Sequence, residues 1–571
     1  MRRPTRTLPL LLVLPLLAAC SSERPPRERA GKGGRFYGGV FNINETENLR
    51  SLFPLSITQA ASQRVAAQVY EGLLALDQGD LSLVPALAES WTVDDTGLEY
   101  TFRIRDNVRF HDDPCFPGGK GRALTADDVV HCFTALCTSE PKNQMFWLFQ
   151  DKVMGANEHY ALTARGSASA GVAGISAPDD RTVRIRLTAP WRGFLQALAH
   201  QGCWVYPKEL PAYYGEDVRW HMVGTGPFRV KNHRRGEVLV LERNDAYWGV
   251  DEYGNALPFL DAVRITFQGD KAREFDQFEK GRLSLVYELP EDRADRLEDL
   301  AKGPYTVQTV AGMATQFYGF NSRMAPFNDV RVRGAFSLAI DRRALVDSVL
   351  RGLGIPASRG IVPPGMQGYP YDSVPELRFD PQAARALLAE AGYGEGKPLP
   401  TVYLQVNSDG FGYLPVASQV QSMLERHIGA RVVISVLPLD QHYDRIEHAK
   451  AMLWREGWVA DHPDPENFLA LFHGRSVPAD STAPSTLNST RFKDAVYDTL
   501  FAHAQRSTVE EERLLSLARA ERRAMEQYVV APLYHERSVR LLQHHVRNLP
   551  INGMEHRILR AVWFDPSART R

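Results

Sequence analysis

After its first twenty residues the chain has no uninterrupted apolar run near the roughly 20 residues that a membrane-crossing helix needs, which excludes a polytopic membrane protein. It also lacks a charge excess of one sign, with 67 basic against 68 acidic residues. Residues 1–35 hold eight of those bases and only two of the acids, so residues 36–571 carry a net −7. A mildly acidic body gives no electrostatic reason to bind nucleic acid. Cysteine is scarce, five in all, and none stands in the C-x-x-C spacing of a zinc or redox site. There is no G-x-S-x-G elbow, no H-E-x-x-H helix and no G-x-x-x-x-G-K-[ST] loop, so the common local signatures of hydrolases, zinc peptidases and nucleotide-binding enzymes are missing. No internal repeat points to a solenoid. What remains is an ordinary globular mixture, 44% hydrophobic and 24% charged. At about 150 residues per domain, 571 residues predict three or four domains.

Arg2, Arg3 and Arg6 precede the apolar run Leu8–Ala19, which is too short to span a bilayer and reads as an export signal over residues 1–19. Leu17-Ala18-Ala19-Cys20 resembles the bacterial lipoprotein signal, in which cleavage precedes the cysteine and the new amino terminus is acylated. Residues 20–35 are rich in Pro, Gly and charge and read as a flexible tether behind that lipid anchor. Cys115, Cys132, Cys137 and Cys203 remain. Export favours disulfides, and four cysteines allow three complete pairings, of which Cys132–Cys137 is the least attractive because residues five apart on a helix point in different directions.

The body alternates strands with helices. A strand near Gly39–Asn44 precedes a helix around Gln59–Leu73. Tyr100, Phe102 and Ile104 alternate with polar neighbours, as do Val183, Ile185 and Leu187. Thr125 with Asp128 forms a helix start in which the cap and the third residue satisfy each other's amides. This half reads as mixed α+β. From about residue 305 the texture becomes α/β: a long helix over Asp329–Leu350, a helix begun by Asp380-Pro381 and stopped by Gly392, then strand Thr401–Val406, helix Leu414–Ile428, strand Arg431–Leu437, helix Asp440–Ala449 and strand Ala451–Trp458. That order predicts crossover units and a largely parallel sheet. Helices around Arg491–Ala504 and Glu510–Tyr528 precede strand-like segments at Ala531–Tyr534 and Val539–Gln543.

Ligands of doubly wound sheets sit beyond the carboxyl ends of the strands, and the last crossover ends in Arg455-Glu456-Gly457-Trp458-Val459-Ala460-Asp461. A carboxylate there faces a cleft and suits a ligand ammonium; the alternative for Asp461, ahead of His462-Pro463-Asp464-Pro465, is a turn or capping acid. The loop Arg109–Gly121 holds His111, Asp112, Asp113 and Cys115, types that ligate metals, but it is Pro/Gly-rich without metal-site spacing and is assigned to turn chemistry. No metal and no cofactor is expected.

Val69-Tyr70-Glu71-Gly72-Leu73-Leu74, Leu83–Trp91, Leu124–Val129, Gly224-Thr225-Gly226-Pro227-Phe228, Val330–Phe336 and Gly457-Trp458-Val459-Ala460-Asp461 occur in an order that resembles the extracytoplasmic solute-binding proteins of peptide and nickel importers of the ATP-binding-cassette type (family 5). The resemblance runs through nearly all of 36–571. It implies an α/β fold of the periplasmic-binding-protein-like class II, two lobes with a double hinge, and an extra α+β subdomain inserted in lobe one. Applied to this chain, lobe one is 36–72 plus 186–305 plus 531–571, the insert is 73–185 and lobe two is 306–530, with crossings near 305–318 and 525–533.

By the same resemblance Asp461 takes a peptide's α-ammonium and Arg455 its carboxylate, whose alternative is a surface ion pair. The Gly457 and Val459 backbones pair with an extended ligand beside Trp458, and Tyr318 and Asn321 approach it, packing and turn roles being their alternatives. Phe146 and Trp147 of the insert are either pocket wall or, more commonly, core. The implied function is a monomeric, exported lipoprotein, held at the outer face of a bacterial membrane or in the periplasm, that binds a short peptide and passes it to a membrane permease. A non-peptide solute such as a nickel chelate or haem, a sensory receptor, and a secreted hydrolase with dispersed catalytic residues are the alternatives.

Overall fold

The computed structural model describes residues 29–568 except 168–169, 291–292, 294–296, 395, 409–411, 481–482, 486 and 508. The expected signal segment 1–19, Cys20 and the first part of the tether lie outside the described residues. From Arg29 onward the expected tether is instead part of the body. Arg29–Ala30 pairs antiparallel with Phe36–Tyr37, the Lys32 amide donates to Asn255 Oδ1 at 2.8 Å, and Arg35 pairs with Glu252 at 2.6 Å.

The first lobe is built on a four-stranded sheet in the order Phe228–Arg234, Val238–Arg243, Ala262–Phe267, Val40–Glu45. Val40–Glu45 joins it parallel, the others antiparallel. Period-two alternation buries Phe41, Leu239, Leu241, Val263 and Ile265 on one core. The insert carries a second, all-antiparallel sheet of Ala88–Val93, Glu99–Ile104, Thr182–Arg186 and Ile175–Asp179, covered by helix Ala126–Leu136. Its capping box is formed: the Thr125 side chain accepts from the third-residue amide, and the Thr125 amide donates to Asp128 Oδ2 at 3.0 Å. Phe102, Ile104, Val183 and Ile185 share one continuous core with the first-lobe sheet, so the insert is an extension of that lobe and not a separate core. Cys115, Cys132, Cys137 and Cys203 are buried there as free thiols, which corrects the expectation of disulfides. Burial pushes the Cys115 and Cys137 thiols up to about 12.

The metal-type residues of the 109–121 loop serve the fold. The amide of Gly224 donates to His111 Nδ1 (3.4 Å), and Nε2 faces the Gly226 carbonyl at 2.8 Å. Burial pushes this ring down to about 4. Asp112 accepts from Lys120 and the Gly121 amide, and Asp113 from Tyr214.

A seven-stranded sheet runs through the second lobe and into stretches assigned to the first, in the order Leu285–Tyr287, Val530–Gln543, Tyr305–Phe320, Leu453–Val459, Val402–Asn407, Val432–Leu437, with Gly354–Pro356 also paired to Val530–Gln543; Leu285–Tyr287 and 531–543 lie in the ranges read from the sequence as lobe one. Only the last three in that order are mutually parallel, joined by helices Tyr413–Ile428 and Leu439–Glu447 as the crossover pattern predicts. The other pairings are antiparallel, because the chain enters the lobe along Tyr305–Phe320 and leaves it along the neighbouring Val530–Gln543. The two strand-like segments expected after residue 530 are thus one strand of 14 residues.

These two long strands tie the lobes together. Their pairing slips between Ala311↔Arg537 and Thr315↔His535, where residues 312–314 stand opposite Glu536 alone. In this bulge Met313 accepts from the Ala460 amide at 2.9 Å and donates to the Gly553 carbonyl at 2.8 Å, joining second lobe to tail.

The long helix expected over Asp329–Leu350 is broken into Val330–Leu338, Arg342–Ala344 and a π-turn Leu345–Val349. Asp341 caps the second piece through the Ala344 amide. The buried Arg342 guanidinium takes the carbonyls of Ser337 and Ile340 freed by the break, together with that of Pro532. Helix Pro381–Glu390 begins and ends as read, Asp380 capping the Ala383 amide and Gly392 lying at φ +84°.

Candidate functional site

Between the lobes lies a cavity of about 480 Å3. The second lobe reaches it at the carboxyl end of strand Leu453–Val459, where the sequence pattern locates a ligand cleft. Val459, 66% exposed, lines it together with Ala460, Asp461 and His462. This strand pairs with Val402–Asn407 only at Leu453 and Trp454, so that edge has no strand partner from Glu456 onward among the described residues. Its other edge is fully paired with 314–320.

Asp461 is exposed in the cavity, and among the described residues no Arg or Lys forms an ion pair with it. Its carboxylate accepts one long bond from Asn467 Nδ2 (3.3 Å), and its amide donates to Asn467 Oδ1 (3.3 Å). Asn467 therefore orients the acid. The indole of Trp458 also donates to Asn467 Oδ1, at 2.7 Å, so Trp458 supports the loop from behind. Arg513 fixes the same loop through two bonds to Asp464, at 3.1 and 2.7 Å.

Arg455, 7% exposed, is not among the cavity-lining residues. Its guanidinium donates to Asn407 Oδ1 (3.2 Å) and Gln316 Oε1 and stacks over the Tyr413 ring at 3.4 Å. This is neither an exposed ion pair nor a free cation. Gln316 in turn donates to Glu536, which does line the cavity. Gly457 makes room for that bridge, since a Cβ there would lie 2.5 Å from Gln316 Oε1. Tyr318, 2% exposed, packs inside the second lobe, its hydroxyl without a hydrogen-bond partner among the described residues. Asn321 holds a turn, donating to the carbonyls of Ala449 and Ala451. Neither lines the cavity.

The first-lobe side supplies Trp147, which the sequence left between pocket wall and core, and further residues that the sequence reading missed. Trp147, 43% exposed, is wall and not core, and meets the His200 ring edge-on at 5.3 Å; Phe146 stacks on Tyr160 at 4.0 Å within the insert. Lys152 Nζ sits 4.4 Å over the Trp191 ring. Arg64 and Arg557 both bind Glu45, and Glu555 lies beside Arg557. Of these, only Phe146 and Trp147 stood out in the sequence, as aromatics of the insert; the others come from distant segments with no local signal. Burial, then the facing His462, pushes His200 down to about 3, and burial lowers His462 as well, so both rings are neutral at pH 7. Arg192, between the lining residues Trp191 and Gly193, forms an ion pair with Glu510 of the second lobe at 3.4 Å. The arrangement offers an open strand edge, a carboxylate without a counter-ion, and aromatic walls. This is equipment for holding an extended polar ligand.

The chain was compared with known proteins. It is 27% identical over 428 residues to the Dipeptide-binding protein of Escherichia coli K12, covering 73% of this chain and 75% of that one. It is also 27% identical over 484 residues to Heme-binding protein A of Haemophilus influenzae, covering 81% and 80%. The solved structure of the periplasmic binding protein DppA from Helicobacter pylori, in complex with peptide STSA, superposes with a TM-score of 0.72 at 23% identity, covering 93% of this chain and 99% of that one. The two-lobed class II fold is thus common to both. Residues 82–478 match the family described as "Bacterial extracellular solute-binding proteins, family 5 Middle". With that match across most of its length, the chain belongs to the family 5 bacterial extracellular solute-binding proteins.

Proposed function

We propose that this protein is an exported lipoprotein, acylated at Cys20, that captures a short peptide between its lobes and delivers it to an ATP-binding-cassette permease in the membrane. The observation that carries the reading is Asp461, an exposed carboxylate with no ion-pair partner among the described residues, just beyond the unpaired strand edge 456–459. A peptide's α-ammonium fits the acid, and its backbone fits the edge by strand addition, a mode that leaves side-chain specificity loose. Relatives named for dipeptide binding support the same ligand class. Arg455 would receive the peptide's carboxylate only by exchanging its bonds to Gln316 and Asn407. The role has no catalytic step, in keeping with a family of binding proteins.

Calorimetric titration of the purified protein with trialanine tests the reading, and saturable binding that N-acetylation weakens is the expected result. The second reading is haem, favoured by the 27% identical Heme-binding protein A and by neutral His200 and His462 on the cavity wall. Saturable haem binding beside no response to any peptide would establish it in place of the first. Loss of peptide uptake on deleting the gene separates import from a sensory role.

A further inference from the structure

Besides Asp461 and Glu536, a third carboxylate lines the cleft. Glu555 lines the cavity, is 6% exposed, and neither of its oxygens accepts a hydrogen bond among the described residues. Its nearest cation is Arg557, whose Nε lies 3.7 Å from Oε2. Arg557 is itself committed to Glu45 through Nη2 at 3.2 Å, and Glu45 also holds Arg64. Buried carboxylates are normally hydrogen-bonded, because losing water without replacement is costly. Burial accordingly raises the Glu555 carboxyl above its ordinary range.

The backbone holds Glu555 in place against its own preference. Its φ is +52°, a left-handed conformation that non-glycine residues seldom take. Asn552 enforces it by accepting from the amides of Met554 (3.2 Å) and His556 (3.0 Å). A strained, buried acid facing a ligand cavity is the pattern of a functional group awaiting its partner.

Charge decides what that partner is. Among the lining residues Asp461, Glu536 and Glu555 stand against Arg64, Arg557 and Lys152, but both arginines are held by Glu45 behind the wall, while Arg455 lies in the field of Glu536, so Glu555, like Asp461, has no cation committed to it. Glu288 and Arg540, the remaining charges in the field of Glu555, offset one another. The cavity histidines His200 and His556 are neutral at pH 7, pushed down to about 3 and about 4. A basic side chain entering the cavity would supply Glu555 with the cation and the hydrogen-bond donor that it lacks, while the ligand's α-ammonium goes to Asp461.

We propose that Glu555 receives a cationic side chain of the ligand, so that the protein prefers short peptides containing lysine or arginine. The inference rests on the peptide reading and narrows it. The test is calorimetry on wild-type protein with trialanine and with tripeptides carrying lysine, norleucine, Nε-acetyl-lysine or glutamate at each position in turn. At one position lysine should bind about tenfold or more tighter than norleucine and acetyl-lysine, the advantage of a charge-assisted hydrogen bond in a partly dry site. Glu555→Gln should collapse that ratio, and the wild-type comparison stands whether or not the variant folds. Trialanine binding with no lysine preference at any position would overturn this inference alone. Tightest binding by a glutamate peptide would overturn it too, assigning the contact to the unpartnered Nη1 of Arg557. A lysine preference that survives Glu555→Gln in a folded variant would also refute it. No response to any peptide would remove the peptide reading as well.

Discussion

Replacing Asp461 with asparagine removes a charge and almost nothing else. The side chain is exposed, and the one hydrogen bond its carboxylate accepts among the described residues, from Asn467 Nδ2 at 3.3 Å, can be kept by the asparagine oxygen. Stability should therefore change by no more than about 0.5 kcal/mol, as for other surface substitutions outside a network. The ligand loses more. A hydrogen bond to a charged group contributes about 1.5–3 kcal/mol net, so the variant should bind a free-amine tripeptide roughly 10- to 150-fold more weakly. Calorimetry of trialanine and N-acetyl-trialanine against wild type and Asp461→Asn closes a double-mutant cycle. Acetylation and substitution should each weaken binding, and the second change should add little to the first, because both delete the same contact. The coupling should also shrink with salt, since the cleft is open to water and a Debye length is about 10 Å at 0.1 M. Two fully additive losses would show that the ammonium does not sit at Asp461, and equal affinities in all four combinations would remove the acid from the site.

Asn467→Ala deletes the acceptor shared by the Trp458 indole and the Asp461 amide; it should weaken tripeptide binding and, leaving two partly buried donors unpaired, lower stability by about 1 kcal/mol in urea unfolding. Glu521 is 1% exposed and accepts from the amides of Ile361 and Val362 and the hydroxyl of Tyr369; Glu521→Ala strands three donors and should cost about 3–5 kcal/mol, read as a lower urea midpoint at unchanged slope. His535 is buried beside Thr315 (2.8 Å), and burial pushes it down to about 3. A lowered folded-state value means that the unfolded chain binds the proton first, so the neutral ring's contribution is intact above pH 6.5 and is lost as pH falls from there toward 3. The stability advantage of wild type over His535→Gln should therefore narrow by about 1.4 kcal/mol for each unit below 6.5, and a constant difference from pH 7 to 4.5 would refute the assignment.

Local signals were legible wherever neighbours in sequence decide the outcome. The capping box at Thr125, the Asp380-Pro381 start, the Gly392 stop and the alternation of Tyr100, Phe102 and Ile104 all concern atoms within a few residues. The parallel unit of three strands and two helices was legible for the same reason. Sheet order beyond it was not. The pairing of 305–320 with 530–543 joins segments more than 200 residues apart, and no periodicity records which strand returns beside which. The break at 339–341 depends on Arg342 reaching Pro532, again a distant partner. Arg64 and Arg557 form one wall of the cavity and are held there by Glu45 behind them, through contacts spanning up to 512 residues.

Arg455 shows where a motif stops being informative. Along a strand, residues 455, 457 and 459 point to one face, so a sequence that places Val459 in a cleft places Arg455 on the same side. Yet Val459 is 66% exposed and Arg455 only 7%. The difference lies in what covers that face: Tyr413, at the start of helix Tyr413–Ile428, lies over the guanidinium, and Gln316 crosses from the neighbouring strand because Gly457 leaves it room. The strand fixes the side of the sheet, and the partners from residues 316, 407 and 413 fix whether the charge there meets a ligand or a protein amide. Asp461 escapes this ambiguity because it stands past the last residue of the strand, where the pairing that would cover it has already ended.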